Sequence, residues 1–386
     1  MSEYLTAVKN WKLISDTAKY RGVIKMINIS ILKRFLLLSF ATALLIPAIA
    51  QAEFLAKGDP KPAVIIFSQS NDGGWSQAIH EARMRLEDSM DLRIPQAEGI
   101  PETATAIRPA AELFIERGAN IIIGSAFGYS DTFLELSEKH PEVVFLNPAG
   151  TTNGPNLKSF YGRTYESQYL CGMVAGGISK SGKLGFVAAN PFGLVNWTVN
   201  AYLLGAQQVN PDATLTVVFT GAWGDPVKER AAAEALVEQG IDVIGQHVDT
   251  PTPQIVAQEK GIYGTGHHRD LSEFSSATQC SSVWRWEKFL EPEIEKISSG
   301  DFEPAPWGAF LSIAQGGTDI ACCGDAVSDE LKAKVMAERD AIIAGKHVFA
   351  GPLADRAGVD RVASGEVLDD GALWGMDWFV SGVIGQ

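Results

Sequence analysis

The sequence predicts an α/β fold with two lobes, each built on a doubly wound parallel sheet. Two observations lead to this class. Apolar, β-rich runs alternate with amphipathic helical patterns, and this alternation is typical of parallel sheets that are covered by helices on both faces. The alternation also occurs in two successive series, with no long Pro/Gly/Ser-rich linker between them. We therefore expect two lobes that are joined by short hinge crossovers.

The first series has short apolar strands and helices in which apolar residues recur every three or four positions. In chain order it contains the strand PAVIIFSQS, the helices SQAIHEARMRLEDSM and AIRPAAELFIERGA, the strand NIIIGSA, the helix DTFLELSEKHP and the strand VVFLNPA.

The second series follows the same two periodicities. In chain order it contains the helix ESQYLCGMVAGGISK, the strand KLGFVAA, the helix NWTVNAYLLGAQQVN, the strand TLTVVFTG, the helix PVKERAAAEALVEQG, the strand DVIGQ and, after one more helix, the strand GIYGTG. The stretch SSVWRWEKFLEPEIEKISSG then starts a helix that we expect to return toward the first lobe.

These patterns set the expected domain limits. Residues 1–52 would be an N-terminal extension with a signal peptide. The first lobe would span residues 53–163, with a return segment at about 284–318. The second lobe would span residues 164–283, with a C-terminal segment at about 319–386.

The N-terminal region is typical of a secretory signal peptide. Lys33 and Arg34 precede the apolar run FLLLSFATALLIPAIA, and an A-x-A cleavage site ends at Ala52. The run is short for a membrane span of about 20 residues, although an uncleaved anchor helix is the alternative. No cysteine follows the site, so we expect an exported protein without a lipid anchor. Because the signal begins late, we expect Met26 to be the true start.

The composition excludes one class of partner and leaves the cysteines undecided. The chain has 46 acidic and 32 basic residues, a net charge of −14, so we expect no nucleic-acid binding, which needs basic surfaces. Four cysteines are few for a disulfide-stapled protein. Cys171 is predicted to be a small buried apolar residue, and the neighbours Cys322 and Cys323 are not expected to pair easily. Cys280 could form a bridge with either of those two.

The segments that follow the predicted strands hold the main functional signal. Ligands of open parallel sheets bind at the carboxyl ends of the strands. Each of these segments carries an aromatic residue or a histidine, and most carry a carboxylate. The segments are SQSNDGGW (68–75), GSAFGYSD (124–131), AANPFGLVNW (188–197), TGAWGDP (220–226), GQHVDTP (245–251) and GTGHHRD (264–270).

The stretch QHVDTP admits several roles. His247 and Asp249 could orient a water molecule, but their spacing alone is weak support for catalysis, and the chain has no G-x-S-x-G motif. His267 and His268 with Asp270 could suggest a metal, but no H-E-x-x-H is present. We therefore expect no catalytic residue, no metal site and no cofactor. Asp249 or Thr250 could also simply cap the helix that follows.

Small-molecule recognition is the remaining function. Aromatic faces offer a flat ligand a stacking area, and amide, imidazole and carboxylate groups can match the donors and acceptors on its edge. Heterocyclic bases fit this better than sugars, which lack a flat π face. Basic residues are scarce in these loops, which disfavours anionic ligands. The large aromatic residues near predicted strand ends are Trp75, Phe127, Tyr129, Trp197, Trp223, Trp284 and Trp286.

The chain from about residue 60 onward resembles the basic membrane protein (Bmp) family of substrate-binding proteins, which includes purine nucleoside receptors. The segments that carry the resemblance are NDGGWSQAIHEA, IIIGSAFGYSDTFLELSEKHPEVVF, YGRTYESQYLCGMVAGGISKSGKLGFVA, NAYLLGAQQVNPDATLTVVFTGAWGDPVKE, QHVDTP, GIYGTGHHRD, VWRW and GMDWFV. The resemblance implies a type I periplasmic binding protein fold, with three crossovers between the lobes and the ligand held between them. It also implies a periplasmic monomer that delivers its ligand to an ABC permease in the inner membrane.

The resemblance also implies which residues bind the ligand. Trp75 matches the aromatic residue that stacks on the base, and Phe127, Tyr129 and Trp223 match aromatic loop residues. Gln246, His247 and Asp249 match Gln-His-Thr-Asp-Ser-Pro in the nearest branch. The complete set of expected ligand-binding residues is Trp75, Ser76, Phe127, Tyr129, Trp197, Trp223, Gln246, His247, Asp249, His268, Asp270 and Trp284.

Three positions differ from the family pattern and bear on the ligand. Trp197 stands where relatives often have Arg, Ser76 stands where nucleoside-binding members have Asn, and Glu-Lys-Phe follows Trp286 where Gly and Tyr are common. We expect a purine base rather than a nucleoside, because Trp197 could fill the space of a ribose. The alternatives are a ligand-sensing module for a signalling receptor and a nucleoside-processing enzyme, which would need a metal or an activated water.

Overall fold

The structure is a computed structural model that describes residues 59–385. The N-terminal extension, the signal-peptide motif and the expected start at Met26 lie outside the described residues. Within the described part of the chain, no helix combines the length and the apolar character that crossing a membrane requires.

The first sheet contains six parallel strands. They are β1 (Pro62–Ile65), β2 (Gln96–Ala97), β3 (Ile121–Ile123), β4 (Val144–Pro148), β5 (Leu157–Gly162) and β11 (Ala309–Leu311). Their order across the sheet is β11-β5-β4-β3-β1-β2. The helices that connect its strands are α1 (Trp75–Met90), α2 (Ala104–Glu116) and α3 (Ser130–Lys139). β3 is an uninterrupted run of buried isoleucines, as expected of a strand that is covered on both faces.

The second sheet contains seven strands. They are β6 (Lys183–Ala188), β7 (Thr214–Phe219), β8 (Val243–His247), β9 (Tyr263–Gly266), β10 (Thr278–Trp284), β12 (Thr318–Cys322) and β15 (Val383–Ile384). Their order is β12-β10-β9-β8-β6-β7-β15. β12 pairs antiparallel with β10, and the other pairs are parallel.

The remaining elements connect or cover this second sheet and the crossings. The helices are α4 (Thr164–Ile178), α5 (Gly193–Val209), α6 (Pro226–Glu238), α7 (Thr252–Glu259), α8 (Trp286–Ser299), α9 (Asp329–Ile343) and α10 (Asp370–Trp374). A short antiparallel pair is formed by β13 (Leu353–Ala354) and β14 (Asp360–Val362).

The chain passes between the two sheets three times. It leaves the first sheet after β5, returns to it for β11, and goes back to the second sheet for β12. The prediction of two α/β lobes with parallel sheets is therefore confirmed. The exact domain limits given above remain a prediction, although β11 lies in the first sheet and β12 in the second.

Two helices of the second lobe pack with their backbones unusually close together. A Cβ atom on Gly172 of α4 would lie 2.0 Å from the carbonyl oxygen of Tyr202 on α5. A side chain at this position would force the helices apart, so the glycine is required by the close approach. Most residues of α4 and α5 are buried.

A buried ion pair fixes α8 to the first sheet. Lys158 of β5 donates to a carboxylate oxygen of Glu293 at 2.6 Å, and both side chains are less than 10 % exposed. Lys158 also lies 4.5 Å from the ring centroid of Phe302, while the second carboxylate oxygen of Glu293 accepts from Lys296 at 2.7 Å. The helix α8, which follows β10, is therefore held against β5 by an ion pair as well as by apolar contacts.

The four cysteines lie together around β10 and β12. The Sγ atoms of Cys171 and Cys280 are 2.6 Å apart, and both residues are buried. Cys280 is the register partner of Cys322, and Cys322 forms a disulfide bond with Cys323. The expectation that these neighbouring cysteines would not pair was wrong. Cys171 is a buried residue on α4, as its apolar surroundings in the sequence indicated.

Candidate ligand-binding site

A cavity with about 400 Å³ of empty space lies where the strand ends of both sheets meet. Most of its wall comes from residues at or just after the carboxyl ends of strands, from β1, β3, β4 and β5 of the first sheet and from β7, β8 and β9 of the second. The lining residues are Phe67, Trp75, Glu102, Ala126, Phe127, Ala149, Tyr161, Leu194, Trp223, His247, Asp249 and His268.

Trp75 is held in place by the turn that starts α1. The carboxylate of Asp72 accepts hydrogen bonds of 3.0 Å from the backbone N–H groups of Gly74, Ser76 and Gln77. Burial raises the pKa of Asp72, and the charge of Asp249 adds to this shift. A Cβ atom on Gly74 would lie 2.0 Å from the backbone oxygen of Asp249. The DGGW turn of the first lobe is thus in direct contact with the QHVDTP loop of the second.

The Trp75 ring is fixed by its own hydrogen bond and by other aromatic rings. Its indole N–H donates to the backbone oxygen of Ser125 at 2.5 Å. Trp284 and Trp286 meet it edge to face, with centroid distances of 5.6 and 5.4 Å. Only 7 % of Trp75 is exposed. The cavity therefore has a rigid aromatic wall whose orientation is set before any ligand binds.

Three aromatic rings join the two lobes at the cavity. Phe127 follows β3 of the first sheet, and its ring stacks on Phe192, which follows β6 of the second sheet, at 5.9 Å and an interplanar angle of 14°. Phe192 in turn contacts Trp223 at 5.9 Å. Phe127 and Phe192 are partly exposed and also border a larger groove beside the cavity.

Asp249 is oriented by a chain of hydrogen bonds through His268. Trp284 donates its indole N–H to His268 Nδ1 at 2.9 Å. Because an indole can only donate, Nδ1 must be the acceptor, and the ring proton lies on Nε2. This Nε2–H donates to one carboxylate oxygen of Asp249 at 3.1 Å. Asp249 makes no capping bond to α7; instead, the backbone N–H of Thr252, the first residue of α7, donates to the Thr250 hydroxyl at 3.3 Å. Of the two residues considered as helix caps, the structure therefore favours Thr250 over Asp249.

His247 has the opposite tautomer for an equally local reason. The Thr198 hydroxyl donates to the backbone oxygen of Val195 at 2.7 Å, so its oxygen accepts from His247 Nδ1–H at 2.9 Å. The Nε2 of His247 is then an unprotonated acceptor. Burial lowers the pKa of His247 well below its ordinary value, and the neighbouring His268 lowers it further. The ring therefore stays neutral near pH 7.

His247, His267 and His268 form a buried cluster in which one ring nitrogen of each lies within 4.8 Å of the others. Gln168 donates its amide N–H to His267 Nδ1 at 2.9 Å. The proton of His267 is therefore on Nε2, which has no acceptor among the described residues. Since both nitrogens of His268 are also engaged, His247 Nε2 is the one free lone pair of these three rings, and a metal ion would have to break existing hydrogen bonds to bind here.

Glu229 lies behind the QHVDTP loop and supports it. Its carboxyl group accepts hydrogen bonds from the Thr250 hydroxyl and from the backbone N–H of Asp225. Burial raises the pKa of Glu229 to about 7, with a smaller contribution from the negative charge of Asp249. A neutral carboxylic acid is therefore the favoured form of Glu229 in the folded protein below neutral pH.

The Glu229→Gln variant should reveal this in its pH dependence. Between the ordinary pKa of 4.5 and the folded value of about 7, the folded state holds a proton that the unfolded chain has lost. Stability therefore falls as the pH rises through this window, by at most about 3 kcal/mol. Glutamine stays neutral, so the variant should match the wild type near pH 5 and exceed it by about 2–3 kcal/mol at pH 8.

The measurement is urea unfolding of both proteins at pH 5 and pH 8. Taking the difference between the two proteins removes the contribution of Glu166, another buried carboxyl whose pKa burial raises to about 7. An identical stability difference at both pH values would contradict the assigned pKa of Glu229.

The structure brings half of the sequence-predicted ligand residues to the cavity. They come from five separate loops and belong to both lobes. These residues are Trp75, Phe127, Trp223, His247, Asp249 and His268.

Two predicted aromatic residues lie in the core instead. Trp197 is fully buried, donates its indole N–H to Thr164 at 3.2 Å and packs against Tyr165. It is not among the residues that line the cavity, but its ring lies 6.1 Å from that of Tyr161, which does line it. Tyr129 is also fully buried, and its hydroxyl donates to the backbone oxygen of Ile100 at 2.5 Å.

The other four predicted residues support the site without lining the cavity. Ser76 accepts from the backbone N–H of Ser68 at 3.1 Å, and Gln246 donates to the backbone oxygen of Thr250 at 2.8 Å. Asp270 accepts from the backbone N–H of Ser272 at 3.0 Å and caps a short helical turn. Trp284 positions His268, as described above.

Six lining residues were not predicted from the sequence. Tyr161 belongs to β5, a strand that the sequence pattern did not reveal, and Glu102 precedes α2 in a loop that was not considered. Leu194 lies within a segment that was considered, three residues before Trp197, the residue chosen there. The segment LKSFYG has no regular alternation of apolar and polar residues that would have revealed β5. The residues missed are Phe67, Glu102, Ala126, Ala149, Tyr161 and Leu194.

Two lobes of mostly parallel sheets linked by three crossings, with a cavity at the strand ends, define the type I periplasmic binding protein fold. A solved solute-binding protein from Conexibacter woesei has this fold, with a TM-score of 0.63 and 23 % identity over 74 % of this chain and 97 % of its own. The chain belongs to the Bmp family of PnrA-like ABC transporter substrate-binding proteins, whose model matches residues 60–346.

Two relatives differ in the ligand that their names state. The chain is 30 % identical over 330 residues to a purine-binding protein of Brucella abortus, covering 84 % of this chain and 92 % of the relative. It is 32 % identical over 284 residues to a putative ABC transporter glucose-binding protein of Haloferax volcanii, covering 73 % of this chain and 71 % of the relative. Family membership therefore defines a small-molecule carrier but leaves open which ligand it carries.

Proposed function

We propose that this protein captures a flat heteroaromatic molecule, with purine bases as the first choice, between its two lobes and delivers it to an ABC permease. The observation that carries the proposal is the composition of the cavity. Aromatic rings from both lobes, Trp75, Phe127 and Trp223, surround a space whose polar edge is formed by His247 and Asp249. Stacking surfaces with a few aimed polar groups are the chemistry that a heterocycle requires.

A sugar is the second ligand to consider, because of the Haloferax relative. Sugars also pack against aromatic rings, but they carry many hydroxyl groups that must each find a partner when buried. The cavity wall is mostly aromatic and aliphatic, with Glu102, Tyr161, His247, Asp249 and His268 as its polar members. This balance favours the heterocycle.

The proposed cellular role follows from the family and from the N-terminal sequence. The signal-peptide motif supports export, and we place the mature protein in the periplasm as a monomer without a lipid anchor. A permease and an ATPase would be separate chains. We assign it no catalytic step and no cofactor.

A calorimetric and thermal-shift screen of the purified exported protein tests the proposal. The ligands should include purine and pyrimidine bases, their nucleosides, glucose and other sugars, and amino acids. A ligand that binds only the folded state adds about 2.7 kcal/mol to the free energy of unfolding when its concentration is a hundredfold above Kd. The melting temperature rises as a result. We expect such a rise with purine bases and a smaller one or none with glucose.

The controls separate binding from other activities. Chromatography of each ligand after long incubation should return it unchanged, whereas conversion would support the nucleoside-processing enzyme. A response to glucose with none to any heterocycle would overturn the proposed ligand class.

A further inference from the structure

One carboxylate oxygen of Asp249 is left open toward the cavity. The other oxygen is occupied by His268 Nε2–H at 3.1 Å. Asp249 is 7 % exposed and lines the cavity, and among the described residues no other side chain donates to it. A carboxylate can only accept, so this position requires a donor from the ligand.

His247 presents a second acceptor on the same loop. Thr198 fixes its proton on Nδ1, because the threonine hydroxyl has its single hydrogen engaged with Val195. Nε2 therefore offers a lone pair, and no residue in the described part of the chain donates to it. The two acceptors are separated by a single residue, and both belong to the cavity wall.

The other residues that line the cavity add to this excess of hydrogen-bond acceptors over donors. Glu102 adds another carboxylate, and none of the twelve lining residues is a lysine or an arginine. The indole N–H of Trp75 is already committed to Ser125. The groups of the wall that can still donate are the hydroxyl of Tyr161, whose pKa is raised by burial and by the nearby charge of Asp249, and the indole of Trp223, whose ring lies 6.5 Å from that of His247. Among the described residues, neither side chain donates to His247 or Asp249.

We infer that the ligand donates at least two hydrogen bonds to the edge formed by His247 and Asp249. The chemical class is a heteroaromatic base that carries a ring N–H next to an exocyclic amino group, such as guanine, rather than a relative in which an oxo group replaces that amino group, such as xanthine, or an anionic relative, such as urate. This inference rests on the proposed function and adds to it that the ligand is the donor, and the protein the acceptor, of these hydrogen bonds. A site that is built to accept hydrogen bonds rejects an analogue without donors, because its buried acceptors are then left unpaired.

Thr198 and Trp284 are positioning residues in this scheme. Neither lines the cavity, but each determines which nitrogen of a neighbouring histidine carries the proton. Trp284 holds His268 so that it donates to Asp249, and Thr198 holds His247 so that it accepts from a ligand. Changing either residue should alter ligand preference without removing any group that touches the ligand.

Guanine and xanthine form a matched pair for the test, because they differ in an amino group against an oxo group at one ring position. Isothermal titration of the wild-type protein should give about 10- to 100-fold tighter binding of guanine. In the Asp249→Asn variant the side chain can donate as well as accept, so the guanine-to-xanthine ratio should fall by about tenfold or more. The Asp225→Asn variant, which alters a helix cap outside the cavity, should keep the wild-type ratio.

The Thr198→Val variant provides an independent test if Asp249→Asn fails to fold. Valine keeps the shape of the side chain but releases His247 Nδ1, so the ratio should also fall, with the melting curve confirming that the variant is folded. Equal wild-type binding of guanine and xanthine, or a ratio that neither variant changes, overturns the inference while leaving the proposed function in place. Absence of binding by any heterocycle overturns both.

Discussion

Replacing Trp75 with alanine should weaken binding of a heteroaromatic ligand by about 10- to 100-fold, the loss expected for one base–aromatic stack. It should also lower the free energy of unfolding by about 3–5 kcal/mol, since a large buried aromatic ring is removed. Trp75 lines the cavity and simultaneously packs edge to face against Trp284 and Trp286. The loss of affinity and the loss of stability therefore both result from removing one indole ring. Calorimetry measures the first and urea unfolding measures the second.

Two conservative variants separate the effects. Trp75→Phe loses the hydrogen bond to Ser125 but keeps an aromatic ring in the cavity wall. Because the ligand can still stack on this ring, the variant should retain most of the affinity. Trp197→Phe changes a tryptophan that is equally buried but lies outside the cavity. It should lower stability and leave affinity unchanged. Wild-type affinity in Trp75→Ala would mean that the ligand does not stack on this wall.

Replacing Glu293 with leucine should cost about 3–5 kcal/mol of stability, the usual result of leaving one member of a buried ion pair without its partner. Lys158 would remain with its ammonium group buried beside the Phe302 ring. The consequence should be structural, because α8 would lose its polar contact with β5. Urea unfolding monitored by circular dichroism measures the loss.

The double variant Lys158→Met, Glu293→Leu is the matched control. Apolar residues of similar volume often replace a buried ion pair at little cost, so the double variant should recover most of the stability that the single variant loses. If the double variant is as unstable as the single variant, the loss comes from packing at α8 and not from the unpaired charge.

The general position of the site could be predicted from the sequence, because one rule is sufficient for it. Parallel strands end at the same edge of a sheet, so residues just after apolar runs meet without any knowledge of side-chain direction. Trp75, Phe127, Trp223, His247 and Asp249 were found in this way.

Side-chain direction could not be predicted in the same way. Trp197 lies on the first turns of α5, and whether it faces the cavity or the core depends on how closely α4 and α5 approach. Tyr161 was missed because β5 carries Lys158, which is buried only by virtue of its pairing with Glu293, 135 residues away. A lysine in a sequence indicates a solvent-exposed position unless its distant partner is known.

The tautomers of the histidines are even harder to predict from the sequence. His247 and His268 are the same residue type on neighbouring strand ends, yet Nε2 of His247 is a free acceptor whereas Nε2–H of His268 donates to Asp249. The difference arises from Thr198 and Trp284, which are distant in sequence and adjacent in space. Residue type alone therefore predicts that the site is polar but not the direction of its hydrogen bonds.

The three passages of the chain between the two sheets have a consequence for how this protein folds. β11, at the edge of the first sheet, follows its neighbour β5 by nearly 150 residues, and the edge strand β15 ends one residue before the last described position. Neither sheet can be completed by a contiguous stretch of chain. The first sheet is thus completed only by a strand that follows most of the second sheet in the chain, and the many contacts between distant segments predict a slow approach to the native state.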